Sequence, residues 1–311
     1  MDRLVTVFGG GGFLGRYVAQ QLYNARERVR FAERDPRRAY YLRTLGGVGR
    51  TQFVAVDIRH PERVAAAVAG SDAVINLVGV LKGDFDGVHV EGARTIAAAC
   101  RAAGVGSLVH VSAIGADPES PFAYGRSKGE GEQAVRAAFP RATIMRPSFL
   151  FGVDDNFINR FARMIRLSPF FLPVIRPSVR MQPVWVADAA KATAAAALDP
   201  KAHAGTTYEL GGARVLSMRE LMAWICRTTG RHPPLVPIPD PIGKTLARLT
   251  GWLPGAPIIW DQWLMLQQDN VVAPKAKGLK AFGVAPTPLD VVAQDWLTFY
   301  RRHGRFAVKS L

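Results

Sequence analysis

The sequence predicts an α/β fold: a doubly wound parallel sheet with a smaller, irregular C-terminal lobe. Three observations predict it. Short apolar runs at 3–8, 28–33, 52–56, 73–78, 107–112 and 141–146 are continuous, not alternating, as in strands buried on both faces. Helical patterns fall between them, near 13–26, 36–45, 61–69, 87–103 and 121–138, and parallel strands joined by helices are covered on both sides. After Phe151 the rhythm changes, with Pro and Phe gathering in 165–183.

Each element has a local reason. Val5, Val7 and Phe8 make the first strand, and Phe13, Leu14, Val18 and Leu22 recur at helical spacing after it. The second strand, VRFAE, ends in the charged run RDPRR, and the third ends in VAVDI. Asn76-Leu77-Val78-Gly79 closes the fourth strand, where small residues let a ligand pass or simply turn the chain. The fifth is LVHVS and the sixth precedes Arg146-Pro147. Beyond Phe151 a strand (182–186), a helix (187–198), a strand (206–210) and a helix (217–229) follow. A proline-rich run (233–241) and a tail holding Trp252, Trp260, Trp263 and Trp296 come last. The expected division is a main domain of 1–150 completed by about 182–210, and a lobe of 151–181 and 211–311.

Composition bounds the function. The chain has 311 residues, 49% of them hydrophobic, enough for one large core and a smaller partner. Cys100 and Cys226 are the only cysteines and read as buried thiols of a reducing compartment, not as a disulfide or metal site. No apolar run reaches the length of a membrane span, and with the first strand beginning by Leu4 no signal peptide is expected. The expectation is a cytoplasmic protein, with attachment to the inner-membrane face as its membrane option. The net charge of +15 favours anionic partners or is a solvated surface. It comes with no nucleic-acid motif.

The chemistry begins at VTVFGGGGFLG. Gly9 suits a tight turn, Gly12 lets the backbone approach a diphosphate, and Gly15 lets the helix pack closely. The helix start offers free N–H groups and a positive dipole end to phosphates. Four consecutive glycines also suit a flexible loop, but the flanking strand and helix favour a dinucleotide. At the end of the second strand a carboxylate reads the ribose hydroxyls of NAD, whereas arginine pairs with the 2′-phosphate of NADP. Glu33 offers the first; Arg34, with Arg37 and Arg38 after it, offers the second. This favours NADP(H), with NAD(H) as the alternative. Asp57 suits the adenine amino group, or caps the helix starting near Pro61.

Ser112 ends the fifth strand, and Tyr124 and Lys128 follow at i, i+4 on one helix face. An ammonium beside the phenol is expected to lower the tyrosine pKa, so that it exchanges a proton with a carbonyl or alcohol oxygen. Ser112 would hydrogen-bond that same oxygen. Arg146 and Arg180 are candidates for an anionic substrate or for loop anchoring, and Asp188 suits a helix N-terminus.

These motifs resemble the extended, atypical short-chain dehydrogenase/reductase superfamily, whose nucleotide domain is a Rossmann fold. The carriers are GGGGFLG (9–15), DI (57–58), Ser112, YGRSK (124–128), RPSFLFG (146–152) and PVWVADAA (183–190). Within it the chain is most similar to the group of the nucleotide-binding accessory subunit of respiratory complex I and its bacterial relatives, on LVHVSAIGADPESPFAYGRSKGEGE and RPSFLFGVDDNFINRFA. The likeness thins over 231–311, where DNVV (269–272) and VAPTPLD (284–290) still fit. The resemblance implies a tightly held NADP(H), structural in that group. It matches Gly9, Gly12, Gly15 and Arg34 to cofactor positions. With the residue reading, the expected cofactor contacts are Gly9, Gly12, Phe13, Leu14, Gly15, Arg34, Arg38, Asp57, Ile58, Val78, Gly79, Tyr124, Lys128 and Pro147, and the expected catalytic set is Ser112, Tyr124 and Lys128. One departure is His89, where many relatives carry asparagine; it reads as a helix residue with a satisfied ring or as part of a relay.

Two functions follow as expectations. One is an NADP(H)-binding protein serving the assembly or stability of complex I or a quinone-linked membrane process, with complex I subunits or an anionic membrane surface as partners. The other is a soluble NADP-dependent oxidoreductase or epimerase acting on a small hydroxyl or carbonyl compound. No metal and no nucleic acid are expected. In IGKTLARLTGWLPG, the apolar Ile242, Leu246, Leu249, Trp252 and Leu253 with Lys244 and Arg248 suit a helix on anionic lipid, against a subunit, or closing the lobe's own core.

Overall fold

The computed structural model describes residues 2–167, 170–250, 260–302 and 304. The chain forms two compact units: Met1–Pro147, Val186–Leu210 and Val272–Ala285 in the first, and Ser148–Trp185, Gly211–Val271 and Pro286–Leu311 in the second.

In the first unit, β1 (Leu4–Phe8), β2 (Arg28–Glu33), β3 (Thr51–Ala55), β4 (Ala73–Asn76), β5 (Ser107–Val111) and β6 (Thr143–Pro147) alternate with α1 (Phe13–Asn24), α2 (Pro61–Val68), α3 (Gly92–Ala102) and α4 (Ala123–Ala138). The chain leaves through β7 (Leu150–Phe151), α5 (Ile158–Leu167), β8 (Leu172–Ile175), β9 (Arg180–Met181) and β10 (Val184–Trp185). It returns with α6 (Val186–Leu198), α7 (Pro200–His203) and β11 (Thr207–Leu210). Seven parallel strands run in the order β11-β6-β5-β4-β1-β2-β3. The order reverses between β1 and β4, and ligands of such sheets bind outside the strand ends at that point. Every residue of β4 and β5 is buried, which is why these runs are mostly apolar without alternation. On one face α2, α3 and α4 bury Val64, Ile96, Cys100 and Val135 against Phe8, Val74, Leu108 and Ile144. On the other, α6 packs along α1.

The structure departs from the sequence expectations in several places. The segment Pro36–Leu45 is a 3-10 helix, not an α-helix, entered through Pro36 with Asp35 accepting the Arg37 N–H. The expected helix 87–103 begins as a π-helical turn, Asp86–Glu91, before α3. Gly92 sits at the junction, where a Cβ would lie 2.4 Å from Ile58 Cδ1. The expected strand 182–186 is only the two residues of β10, because α6 starts at Val186. The segment 272–285, expected in the lobe, groups with the first unit. The Glu209 backbone N–H donates to the Lys277 carbonyl at 2.9 Å, and Phe282 lies 4.5 Å from the rings of His203 and Tyr208.

The second unit holds more order than its composition suggests. Helix α5 was not expected: the Asp155 carboxylate caps it by accepting from the N–H groups of Phe157, Ile158 and Asn159. Ile158, Ala162 and Ile165 then recur at helical spacing in a core shared with Leu221 and Ile225 of α8 (Met218–Thr228) and with Trp296. Strand β12 (Leu216–Ser217) pairs with β9 and leads into α8, whose start is a capping box between Ser217 and Glu220. The proline-rich run carries β13 (Leu235–Ile238), parallel to β8. Helix α9 (Asp240–Thr250) packs on α10 (Trp260–Met265) through buried Ala247 and partly buried Leu246, leaving Ile242 and Leu249 exposed. Trp252 and Leu253 lie outside the described residues. Short helices α11 (Leu289–Val292) and α12 (Gln294–Leu297) follow. Among the described residues no helix is long and apolar enough to cross a membrane.

Candidate functional site

The glycine turn leaves β1 at Gly9, whose φ of +78° favours glycine. Its Cβ position lies 3.3 Å from Leu77 and Val78, so the turn also runs against the end of β4. Gly12 caps α1 with no side-chain cap and no acid in the first turn, which leaves the helix start suited to an anion. A Cβ on Gly15 would stand 2.2 Å from the Gly10 carbonyl oxygen. Gly15 therefore seats α1 on the turn itself. Phe13 and Leu14 form the first turn of α1, and Leu14 is buried.

Glu33 does not point away toward a ribose alone. Its Oε1 accepts the Gly11 N–H at 2.6 Å, while Tyr41 donates to the Gly11 carbonyl at 3.1 Å. Burial raises the Glu33 pKa; the Gly11 N–H and the Arg34 cation oppose this. Arg34 is exposed beside it. Arg38 is exposed and 3.7 Å from Asp35, which also pairs with Arg37. Asp57 does not cap α2. His60 holds the cap position, and the Asp57 carboxylate binds the Arg59 N–H and guanidinium (2.6 Å at the shortest), which holds its pKa down to about 2. Ile58 is buried beneath it, against Gly92.

The structure brings the second group of expected residues together. Lys128 Nζ donates to the Val111 carbonyl at 3.0 Å, one residue before Ser112. Gly79 approaches the same amine, its Cβ position being 3.6 Å from Lys128 Nζ and from His89 Nε2. Tyr124 lies one helical turn before Lys128, its ring edge-on to His89 and Phe85. Ser112 is 4% exposed and its Oγ has no hydrogen-bond partner among the described residues, so it is free to meet a ligand oxygen. Pro147 ends β6 and accepts the Ile114 N–H at 3.1 Å, which fixes the loop after Ser112.

The electrostatics correct one expectation. The Tyr124 phenol is not lowered toward neutrality; burial pushes it up to about 12. Burial acts on Lys128 too, lowering it to about 8 against the pull of Glu132. Desolvation disfavours both charged forms, and it is the largest cause at both groups. His89 is buried and fully engaged: Nε2 accepts the Val80 N–H at 3.0 Å, so Nδ1 carries the proton toward Ser127 Oγ at 2.9 Å. Burial, then the Lys128 cation, hold its pKa down to about 3. Its ring ties the loop after β4 to α4.

One residue was missed, and the other expected residues take structural partners. His110, buried in an apolar strand, pairs with Asn76 at 3.1 Å and orders the β4–β5 ends; a histidine inside VHVS was the available signal. Arg146 takes the anchoring role: it grips buried Glu132 through two bonds of 2.8 and 2.7 Å. Arg180 is held by Asp269. Asp188 is buried in the first turn of α6.

A sheet of this order, with a glycine turn after β1 and a Ser–Tyr–Lys set on β5 and α4, defines an NAD(P)-binding protein of the short-chain dehydrogenase/reductase fold. The model of the NAD(P)H-binding family matches residues 9–163. The chain is 36% identical over 315 residues to rat mitochondrial NADH dehydrogenase (ubiquinone) 1 alpha subcomplex subunit 9, covering 97% of this chain and 81% of that one. It belongs to that subunit's family. It is also 31% identical over 245 residues to the ceramide reductase of Caulobacter vibrioides, covering 76% of this chain and 74% of that one. Among solved structures, the NADPH-dependent quinone oxidoreductase of Escherichia coli complexed with NADPH has the same fold. It gives a TM-score of 0.76 at 19% identity, covering 92% of this chain and 96% of that one.

Proposed function

We propose that this protein holds NADP(H) as a firmly bound, structural nucleotide and serves the assembly or stability of respiratory complex I or of a quinone-linked membrane process. The carrying observation is the extent of the likeness. It spans 97% of this chain and 81% of the rat subunit, so it includes the second unit as well as the nucleotide-binding segment. The proposed location is cytoplasmic, at the inner-membrane face, where a net charge of +15 meets anionic surface.

In this reading Gly9, Gly12, Phe13, Leu14 and Gly15 hold the diphosphate at the uncapped start of α1. Arg34 and Arg38 receive the 2′-phosphate, while Glu33, engaged by Gly11, steadies the turn. Asp57 and Ile58 border the adenine, and Val78, Gly79, Tyr124, Lys128 and Pro147 border the nicotinamide half. When bound, the nicotinamide supplies or accepts hydride. A phenol pushed up to about 12 stays protonated at neutral pH and can donate a hydrogen bond to what lies beside it. The test is purification from native cells: the reading expects NADP(H), identified by mass, retained through dialysis, together with complex I subunits. Loss of nucleotide on dialysis and absence of those subunits would overturn it.

The unpartnered Ser112 Oγ, one residue past the Val111 carbonyl that Lys128 holds, favours a second reading, an NADP-dependent oxidoreductase or epimerase for a small hydroxyl or carbonyl compound. Ser112 would orient the reacting oxygen and Tyr124 would pass its proton. NADPH oxidation with quinones or ketones that disappears in Tyr124→Phe supports it; no oxidation with either class sinks it.

A further inference from the structure

The second unit contains a basin of about 340 Å³ between the end of α8 and the segment 286–301, lined by Arg214, Arg227 and Arg301. The one carboxylate there, Asp290, is already engaged by Arg214 Nη1 at 3.1 Å and by the Trp224 indole N–H. Three guanidinium groups against one carboxylate leave an excess of two positive charges.

The end of a helix normally presents unpaired carbonyls and a negative dipole, which would repel an anion. At α8 those carbonyls are occupied. The Ile225 carbonyl accepts from Thr229, that of Cys226 from Arg231, that of Arg227 from Gly230, and that of Thr228 from Arg301 Nε at 3.2 Å. The bond to Thr228 also fixes Arg301, leaving its terminal NH₂ groups available. Arg227 is exposed on the last turn. Guanidinium forks match phosphate oxygens in pairs, and the basin exceeds the size of a lone phosphate.

We infer that this basin binds a phosphoryl group carried by a small polar molecule or by a lipid headgroup, independently of the nucleotide in the first unit. The test uses the full chain saturated with NADPH, so that the first unit takes up no added phosphate. Calorimetric titration with glycerol 3-phosphate, and flotation with phosphatidylcholine vesicles with or without phosphatidic acid, separate the two sources. Binding in either arm is expected to weaken at least about fivefold in Arg227→Gln and with rising salt. It should be unchanged in Arg219→Gln, which removes an exposed charge from the opposite end of the same helix. No binding in either arm, or equal losses in both variants, overturns the proposal. Melting curves of Arg227→Gln check that the fold is intact. Arg34 variants test the nucleotide separately, so the two proposals fail independently.

Discussion

The carboxylate of Glu33 accepts the N–H of Gly11 at 2.6 Å, joining the end of β2 to the middle of the glycine turn. Tyr41 holds the other side of the same peptide through the Gly11 carbonyl. The turn is thus fixed from the segment that carries Arg34 and Arg38. Removing the acceptor in Glu33→Ala should weaken NADH and NADPH alike, by roughly tenfold for one buried charge-assisted bond. Isothermal titration with both nucleotides checks this; a selective loss of NADH would make Glu33 a ribose reader instead. The pH sign follows from burial, which raises the folded pKa. On acidification the native state takes up this proton before the unfolded chain does. The group's contribution to stability therefore falls as pH rises through the window just above the ordinary carboxylate value, and is constant above it.

Arg34 should carry the phosphate preference. Arg34→Ala is expected to lower NADPH affinity about tenfold or more, the worth of a charge-assisted contact, with NADH affinity little changed. Competition binding at fixed ionic strength measures the ratio. An unchanged ratio removes the 2′-phosphate from this position.

Lys128 should show its burial in the pH dependence of stability. Its folded pKa is about 8 against an ordinary 10.5, so between those values the unfolded chain binds the proton that the native state refuses. Stability from this group is fully present above pH 10.5 and is lost as pH falls toward 8, by on the order of 3 kcal/mol. Melting temperatures of the wild type should therefore rise from pH 8 to 10 relative to Lys128→Met. Parallel curves for the two proteins would show that Lys128 is not desolvated.

Arg146 should behave as a structural residue. Arg146→Ala leaves Glu132, 5% exposed, without its bidentate partner, at a cost of about 3 kcal/mol or more. Urea denaturation reads this directly. A variant as stable as the wild type, yet impaired in binding an anion, would return Arg146 to the ligand.

Gly15→Ala should unseat α1. A methyl 2.2 Å from the Gly10 carbonyl oxygen forces the helix off the turn, at about 1–3 kcal/mol for overpacking. Nucleotide affinity should fall with the melting temperature; a variant matching the wild type in both would show that the turn yields freely.

The doubly wound sheet was legible because its strands are buried on both faces and its helices carry one apolar face each, and both are periodicities of the chain itself. The glycine turn was legible for the same reason: it is contiguous, and its steric need for glycine is local. The tertiary structure alone decided which partner each charge takes. Glu33 turns to Gly11 and Arg146 to Glu132 fourteen residues away, and spacing gives no account of these choices. It also decided that desolvation governs Tyr124 and Lys128, raising one pKa and lowering the other. Burial is a property of what packs around a group, and for these residues that packing comes from segments distant in sequence.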